Sequence, residues 1–251
     1  MAHRSDKIID PSVRDRQSEE AGMTLPSLPN VMTTSLIVDL SHYEAVANLS
    51  IAEGQGNVIA VFLKATEGAT YQDPAFLTLY DRAKAAGLKT GVYHFGTARP
   101  PTEQVSNFVT TVTRIAGGFE EIVVGLDIET NTTSPDNTMS PDQGDAWAGE
   151  FTERTGQTPL IYGGGYLRDR GGAVGRPHLA HCPLWLAEYG DTPLVLPGWQ
   201  TWTIWQFTDG KLGPYAGPVP GIGRCDQNVY NGDRLSFEQF WRAFSNLTAD
   251  A

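Results

Sequence analysis

The chain of 251 residues has only two cysteines, Cys182 and Cys225, and five histidines. Two cysteines are too few for a disulfide-based scaffold and lack the paired spacing of a zinc site, so we interpret them as buried thiols while leaving a disulfide open. His178 and His181 do not have the glutamate and spacing of a metalloprotease motif. We therefore expect no metal and no other cofactor.

Positive charge is also scarce, because 18 Lys and Arg face 29 Asp and Glu, for a formal net charge of −11 at pH 7. Binding to phosphate backbones or anionic lipids relies on clustered Lys and Arg, so we expect no nucleic acid partner. Long apolar runs are missing too: none approaches the roughly 20 residues that cross a bilayer. We expect a monomer that does not insert into membranes.

Residues 1–34 are rich in charge and lack the apolar segment of a signal peptide. This stretch predicts a disordered or loosely packed leader. The remaining residues, 35–251, are long enough to bury one sizeable core, and we expect them to form a single catalytic domain that includes a C-terminal helix.

From Ser35 onward, short apolar runs alternate with helix-like segments, which is the pattern of βα units around a parallel sheet. Five such runs cover residues 35–43, 58–65, 88–96, 121–129 and 158–163. Three further predicted strands, at 183–189, 201–207 and 225–230, are joined by Pro- and Gly-rich connections. The pattern predicts an α/β fold: a modified TIM-type barrel with five βα units followed by three strands.

Two helix starts have the spacing of a capping box. Ser140 and Gln143 mark one of them, with Pro141 at the first helical position. Ser236 and Gln239 mark the other, and we expect this last helix to close the bottom of the barrel or pack on its wall. Its apolar face is predicted to consist of Phe237, Phe240, Trp241 and Phe244.

Nearly every predicted strand is apolar along its length and ends with a polar or ionisable side chain. The carboxyl ends of parallel barrel strands meet at one mouth, where catalytic groups are held. A single polar end merely marks where a strand meets solvent, but eight of them together indicate one site. These residues are Asp39, Lys64, His94, Asp127 with Glu129, Tyr162, Glu188 with Tyr189, Gln206 and Asp226.

Asp127 and Glu129 lie two positions apart on a predicted strand, so their side chains face the same way, with Cα atoms about 6.5–7 Å apart. Cleavage of a glycosidic bond needs one carboxylic acid to protonate the leaving oxygen and a second group to stabilise the oxocarbenium-like centre or activate a nucleophile. Partial burial and mutual repulsion would keep one carboxyl protonated near neutral pH. Glu129, nearer the rim, is our candidate acid, although an Asp-x-Glu triplet alone also fits a surface strand end or a metal ligand.

The surrounding sequence contains a longer series of motifs. In order, these are Val38-Asp39-Leu40-Ser41-His42, Phe62-Leu63-Lys64-Ala65-Thr66-Glu67-Gly68 with Tyr71 and Asp73-Pro74-Ala75-Phe76, Ala86-Gly87-Leu88, Gly91-Val92-Tyr93-His94-Phe95, Leu126-Asp127-Ile128-Glu129, Thr155-Gly156-Gln157-Thr158-Pro159-Leu160-Ile161-Tyr162, Pro183-Leu184-Trp185-Leu186-Ala187, Trp202-Thr203-Ile204-Trp205-Gln206-Phe207 and Asp226-Gln227-Asn228. From about Leu36 to Gly232 the chain thereby resembles glycoside hydrolase family 25, the muramidase type of lysozyme.

The resemblance implies a barrel of five βα units and three strands that hydrolyses the β-1,4 bond between N-acetylmuramic acid and N-acetylglucosamine in bacterial peptidoglycan. It implies that Glu129 is the proton donor, that Asp127 stands beside it, and that Asp39 and Asp226 complete an acidic cluster. Retaining chemistry assisted by the substrate's N-acetyl group is often proposed for this family, with Asp127 orienting or stabilising the resulting ring. Strand spacing does not fix the carboxyl separation, so the stereochemistry stays open.

Aromatic and polar side chains near strand ends are candidates for binding sugar. We expect Tyr93, Trp185 and Tyr189 to line the groove, and we interpret Trp202 as a packing residue. The complete set of predicted substrate-binding residues is Tyr93, His94, Lys64, Glu67, Tyr162, Trp185, Tyr189 and Gln206.

Three of these assignments have a structural alternative. His94 is a candidate substrate contact or a structural partner of the carboxylates. Lys64 and Glu67 are candidate contacts or an ion pair that shapes the mouth.

The segment 163–165 consists of three glycines without the Gly-Lys-Ser/Thr of a phosphate loop, so we interpret it as a flexible rim loop.

Two other functions fit the sequence in part. A non-catalytic glycan-binding domain would have the barrel without the acids, whereas all four acids are present. A chitinase-like barrel expects acids two, four and seven residues before the catalytic Glu, where this chain has Asp127, Gly125 and Ile122. An enzyme that acts on the bacterial wall and has no signal peptide would be released by lysis, a holin or a non-classical export route.

Overall fold

The structure, a computed structural model, describes residues 35–245. The predicted leader, residues 1–34, lies outside the described residues, as do residues 246–251. The strands are β1 (Leu36–Leu40), β2 (Val58–Glu67), β3 (Tyr71–Gln72), β4 (Lys89–Phe95), β5 (Val123–Asp127), β6 (Leu160–Gly163), β7 (Leu184–Ala187), β8 (Ile204–Thr208) and β9 (Asp226–Tyr230). The α-helices are α1 (Leu49–Gly56), α2 (Phe76–Ala85), α3 (Pro101–Ala116), α4 (Pro141–Thr155), α5 (Gly165–Asp169), α6 (Pro177–His181) and α7 (Arg234–Phe244).

The strands form a closed barrel. The order around the sheet is β1-β9-β8-β7-β6-β5-β4-β2, and pairing of β1 with β2 closes it, while the short β3 adds only to the edge of β2. This confirms the predicted α/β class and barrel. Neighbouring barrel strands are parallel, with one exception: β9 runs antiparallel to both β1 and β8.

The lower part of the barrel interior is apolar, and α7 covers it. Ile37, Phe62 and Trp185 from the strands form one buried cluster with Phe237 and Trp241 of α7. The ring centroids of Phe62 and Trp241 are 5.7 Å apart. Because this helix fills the end opposite the carboxyl ends of the parallel strands, the barrel opens to solvent at the other end, the mouth.

The predicted start of α7 at Ser236 is wrong. Asp233 is the N-cap, and its side chain accepts from the backbone N–H of Ser236, which already lies inside the helix. Ser236 and Asp233 both have short polar side chains suited to capping, so spacing alone could not choose between them. The capping box at Ser140 and Gln143 is present as predicted, with both reciprocal hydrogen bonds formed.

A second apolar layer lies between the outer face of the barrel and the helices. In it, α3 and α4 pack through aromatic rings, and the Trp147 and Phe151 rings of α4 stack with centroids 5.1 Å apart. Burial of each such side chain contributes roughly 1.5–3 kcal/mol. The two apolar layers hold the strands from both sides and so fix the positions of the side chains at the mouth.

Candidate active site

The mouth gathers four carboxyl groups around one cavity. Asp39, Asp127, Glu129 and Asp226 line a space of about 70 Å³. Three aromatic side chains, Tyr93, Tyr162 and Trp185, complete its wall. The predicted acidic cluster thus exists as a geometric unit, drawn from strands far apart in the sequence.

Asp226 reaches this cavity because β9 is antiparallel. It is the first residue of its strand and pairs directly with Asp39 of β1. In a parallel β9 the first residue would lie at the closed end of the barrel, away from the other acids. Asp226 was expected among the strand ends that meet at the mouth, and the direction of β9 is the reason that this expectation holds.

Glu129 lies two residues beyond the end of β5, which stops at Asp127. The chain stays extended there, since the N–H of Ile128 donates to the carbonyl of Tyr162 at 3.0 Å. The alternation of side chains therefore continues, and Glu129 faces the same cavity as Asp127. The same-face geometry holds even though Glu129 is past the strand.

Burial makes every carboxyl of this group harder to ionise. It raises the pKa of Glu129 to about 7, and the negative charge of Asp39 adds to the effect. The pKa of Asp226 rises to about 9 through burial and then through Asp39. Burial, followed by repulsion from Glu129, holds the pKa of Asp127 well above its usual range.

Asp39 differs from the other acids because it accepts several hydrogen bonds. Burial raises its pKa, but hydrogen bonds from Asn228 and Gln206 limit the rise to about 6. The side-chain amide of Asn228 donates at 2.8 Å, and that of Gln206 at 3.1 Å. Donors aimed at a carboxylate stabilise its charged form. Two buried amide donors thus favour the charged form of Asp39.

Gln206 connects Asp39 to two tyrosines. Its Oε1 accepts from the hydroxyls of Tyr162, at 2.8 Å, and Tyr189, at 2.9 Å. Gln206 is 1% exposed, so it lies beneath the site. The predicted substrate contact through Gln206 is therefore corrected: its polar atoms are used by neighbouring side chains.

A β-bulge brings Lys64 and Glu67 to the same side of β2. In a regular strand, residues three positions apart point to opposite faces. The register of β2 against β4 shifts between Lys64 and Thr66, and Lys64 Nζ reaches Glu67 Oε2 at 2.8 Å. Lys64 also lies 4.7 Å from the ring centre of Phe95. Its charge acts on the acids by lowering the pKa of both Asp127 and Glu129.

His94 points away from the mouth, into the layer between the sheet and the helices. It is fully buried, its Nδ1 lies 2.7 Å from the Thr66 hydroxyl, and its ring stacks on Trp147. Its Nε2 faces Oε1 of Gln104, which can only accept, so Nε2 carries a proton. Burial lowers its pKa to about 4. The assignment of His94 as a substrate contact is corrected, because strand alternation places Tyr93 inside and His94 outside.

Trp185 forms the base of the site. It is 1% exposed, and its indole N–H donates to Asn228 Oδ1 at 2.7 Å. The absence of a side chain at Gly125 leaves room for it, since a Cβ there would lie 3.2 Å from the Trp185 ring. Trp185 was predicted to line the groove and stack on sugar. This prediction is corrected, because the ring is buried and supports the site from below. Trp202 is half-buried and packs against Trp205, which agrees with its interpretation as a packing residue.

Tyr189 lies at the rim, where a larger cavity of about 460 Å³ begins beside Glu129 and Tyr162. Arg168 and Glu188 form an ion pair in its wall. Arg168 was not among the predicted site residues, because it follows a predicted loop with no charge partner nearby in the chain. A basic residue soon after a strand end was the only available signal.

The three glycines, residues 163–165, form a tight junction and are not a flexible loop. Gly163 ends β6, and Gly165 begins α5. A Cβ on Gly164 would lie 2.5 Å from the carbonyl oxygen of Ala187, so only glycine permits this approach. The glycines therefore set the position of the rim cavity.

Neither a metal centre nor a membrane-spanning helix is found in residues 35–245. No group of three or more His, Cys, Asp or Glu side chains has an arrangement there that would hold a metal ion. Within the same residues, no helix combines the length and apolar character needed to cross a membrane.

Known glycoside hydrolases resemble this chain in sequence and in fold. The model of the glycosyl hydrolases family 25 matches residues 38–214. Lysozyme M1 of Streptomyces globisporus is 32% identical over 78% of this chain and 67% of its own length. A muramidase structure from Trichobolus zukalii superposes with a TM-score of 0.67 at 28% identity, covering 84% of this chain and 99% of that one. A bacterial lysozyme structure from Streptomyces coelicolor, at 24% identity, has the same fold, with a TM-score of 0.68 over 85% of this chain and 98% of that one.

Proposed function

The chain belongs to family 25 of the glycosyl hydrolases, and from this premise we propose that it hydrolyses peptidoglycan with Glu129 as the proton donor. The bond cleaved is the β-1,4 link between N-acetylmuramic acid and N-acetylglucosamine. The observation that carries the proposal is the convergence of Asp39, Asp127, Glu129 and Asp226 on one cavity at the open mouth of the barrel.

Glu129 suits the role of general acid because of its position and its proton affinity. It lines both the acid cavity and the adjoining rim cavity, so it lies where a glycan strand entering the mouth would pass. A pKa of about 7 leaves a substantial fraction of the side chain protonated at neutral pH. A general acid works best when its pKa is near the working pH. We expect activity to fall as the pH rises through about 7.

Asp127 suits the role of the stabilising group. Its Oδ1 is buried and has no hydrogen-bond partner among the described residues. Buried polar atoms are nearly always paired, so an unpaired carboxyl oxygen facing a cavity is typical of a ligand-binding position. We propose that Asp127 orients the N-acetyl group of the sugar next to the cleaved bond through this oxygen.

An elongated substrate fits the surface around the acids. The rim cavity of about 460 Å³ lies on one side of Glu129. A second cavity of about 570 Å³ includes Glu67, the ion-pair partner of Lys64, together with Tyr71 and Arg99. The first space borders Glu129, and the second lies at the ends of β2 and β4, of which β4 is the neighbour of β5. This arrangement supports a polymer that extends in both directions from the cleavage point, with Tyr189 and Tyr93 as the aromatic contacts.

The neighbouring assignments are part of the same proposal. We infer a barrel of five βα units followed by three strands, a catalytic domain over residues 35–251, and a monomer that binds neither nucleic acid nor membranes. The helix-bearing connections after β1, β2, β4, β5 and β6 support the division into five and three. Neither a non-catalytic glycan-binding domain nor a chitinase-like enzyme is favoured.

The test is hydrolysis of purified peptidoglycan by the full chain, followed as new reducing ends. Glu129→Gln should lower the rate by about 100-fold to 10 000-fold, the usual contribution of a general acid, because an amide cannot give up a proton. Glu153→Gln, on the exposed face of α4, is the matched control and should be as active as the unchanged chain. Release of free amines instead of reducing ends would indicate peptide or amide cleavage, and full activity of Glu129→Gln would remove the acid assignment.

A further inference from the structure

Asn228 has no role in the proposed chemistry, yet its side chain is fixed at all of its polar atoms. It is fully buried in β9, and its Nδ2 donates to Asp39 Oδ2 at 2.8 Å and to the carbonyl of Ile37 at 3.2 Å. Its Oδ1 accepts from Trp185 Nε1 at 2.7 Å. The indole N–H can only donate, so it determines which end of the amide faces Trp185 and which faces Asp39.

Gln206 is constrained in the same way from the other side. Two tyrosine hydroxyls occupy its Oε1, and its Nε2 faces both oxygens of Asp39, at 3.1 and 3.3 Å. Both buried amides therefore present N–H groups to the same carboxyl. Hydrogen bonds to a charged acceptor are stronger than those between neutral groups, so the pair favours a negative Asp39.

The remaining groups around Asp39 oppose a second negative charge. Asp226 pairs with Asp39 across the two strands, and the negative charge of Asp39 opposes the ionisation of Asp226. The titratable or charged groups that face this region from the surrounding elements are Glu44 after β1, Lys64 on β2, Tyr93 on β4, Asp127 and Glu129 at β5, Tyr162 on β6, Tyr189 after β7, Asp209 after β8, and Cys225 and Asp226 at β9. Lys64 is the only cation among them, and it acts on Asp127 and Glu129.

We propose that Asn228 is a positioning residue: held by Trp185, its amide makes Asp39 the carboxylate that ionises first, and the charge of Asp39 in turn keeps the proton on Glu129. The mechanistic part of this inference rests on the function proposed above. The electrostatic part concerns the free protein and holds without substrate. Gln206, which the sequence indicated as a substrate contact, is the second amide that donates to Asp39.

The first experiment measures ionisation directly. Side-chain carboxyl carbons of the full chain are followed by NMR between pH 4 and pH 9. Asp39 should titrate before Glu129, Asp127 and Asp226. In Asn228→Leu, which preserves size and removes the donor, the midpoint of Asp39 should move up by about one pH unit, the equivalent of one charged hydrogen bond.

The second experiment measures catalysis. In Asn228→Leu the acidic limb of the pH–rate profile should move to higher pH by about the same amount, because fewer molecules have a charged Asp39. The kcat should fall while KM changes little, since Asn228 does not line the cavity. Gln157→Leu is the matched control: Gln157 is also a buried amide that donates to two carbonyls, those of Ile122 and Phe244, but at the closed end of the barrel. It should lower stability and leave both titration and pH profile unchanged.

The possible results distinguish failure of the electrostatic inference from failure of the proposed function. If Glu129 or Asp226 ionises before Asp39 in the unchanged chain, the inference is overturned, whether or not any variant folds. The same holds if Asn228→Leu behaves like Gln157→Leu, with lower stability and unmoved titration. If the unchanged chain releases no reducing ends from peptidoglycan, the proposed function fails, while the order of ionisation still decides the role of Asn228.

Discussion

Single residues set the protonation pattern of the mouth, and Lys64 and Asp39 act on Glu129 in opposite directions. The charge of Asp39 raises the pKa of Glu129, and the charge of Lys64 lowers it. Both side chains are held in place, Asp39 by two amides and Lys64 by Glu67. A balance of this kind allows a buried acid to hold its proton near neutral pH and still release it during a reaction.

Lys64→Met tests this balance. The substitution preserves most of the length of the side chain and removes the cation, so the pKa of Glu129 should rise. The alkaline limb of the pH–rate profile should then move to higher pH, by about half a unit to one unit, as expected for loss of a partly shielded charge pair. Lys84→Met is the control, because Lys84 forms an exposed ion pair with Glu121 away from the mouth. A limb that stays in place, or that moves to lower pH, would contradict the assigned role of Lys64.

At the scale of elements, two irregularities create the site. The bulge in β2 places Lys64 and Glu67 on one face, and the reversed direction of β9 places its first residue, Asp226, at the mouth. Bulges of this kind commonly re-aim side chains next to active sites. Neither feature leaves a pattern of apolar and polar residues that distinguishes it from a regular parallel strand.

Helix α7 is the element that supports the site from below, and Trp241 is its central side chain. Trp241 is 1% exposed and contacts the rings of Phe62 and Phe237. Trp241→Ala should destabilise the fold by about 3–5 kcal/mol, the usual cost of removing a large buried ring. Chemical denaturation followed by fluorescence or circular dichroism measures this.

The control for that prediction lies on the same helix. Leu235 is 68% exposed, so Leu235→Ala should change the free energy of unfolding by less than about 0.5 kcal/mol. Equal losses for Trp241→Ala and Leu235→Ala would show that α7 does not close the barrel through its aromatic face.

For the whole molecule, the buried acids make stability depend on pH. Asp226 has a pKa of about 9 in the folded chain, against about 3.8 when unfolded, so the folded state binds its proton more tightly. The stability due to this proton is complete below about pH 4 and is lost as the pH rises toward 9. His94 acts in the opposite direction, since its pKa is lowered to about 4: its contribution is full above about pH 6.5 and is lost below that value.

We therefore expect the Tm of the full chain to rise when the pH is lowered from 8 to 6.5. This interval is chosen because the contribution of His94 to stability is constant there. In Asp226→Asn, which is neutral at every pH, the rise should be smaller, and Tm at pH 8 should be higher by about 2–4 °C for each kcal/mol gained. High salt screens the repulsion expected from the net charge of −11, so the scans are run with and without about 0.5 M salt. Asp81→Asn, at an exposed position on α2, provides the comparison. A Tm gain for Asp226→Asn that is the same at pH 6.5 and 8 would refute the linkage.

The sequence by itself indicated the barrel and the four carboxyl groups that line its mouth. Apolar runs at regular intervals predict strands, because burial between two layers requires them, and their polar ends predict a common mouth. The carboxyls of Asp39, Asp127, Glu129 and Asp226 were found in this way. Local capping chemistry fixed the start of α4, since Ser140 and Gln143 bond to backbone only three positions away.

The tertiary structure alone decided which side of the barrel each neighbouring side chain faces. A strand pattern does not reveal a one-residue bulge or a reversal of direction, because pairing with distant strands determines both. His94 and Gln206 were assigned to the substrate and are instead internal partners, because the side chains that bond to them are distant in the sequence, and Asn228 was assigned no role. Protonation followed the same division: residue type supplied four acids, whereas burial and hydrogen bonds from β8 and β9 determine which of them carries the charge.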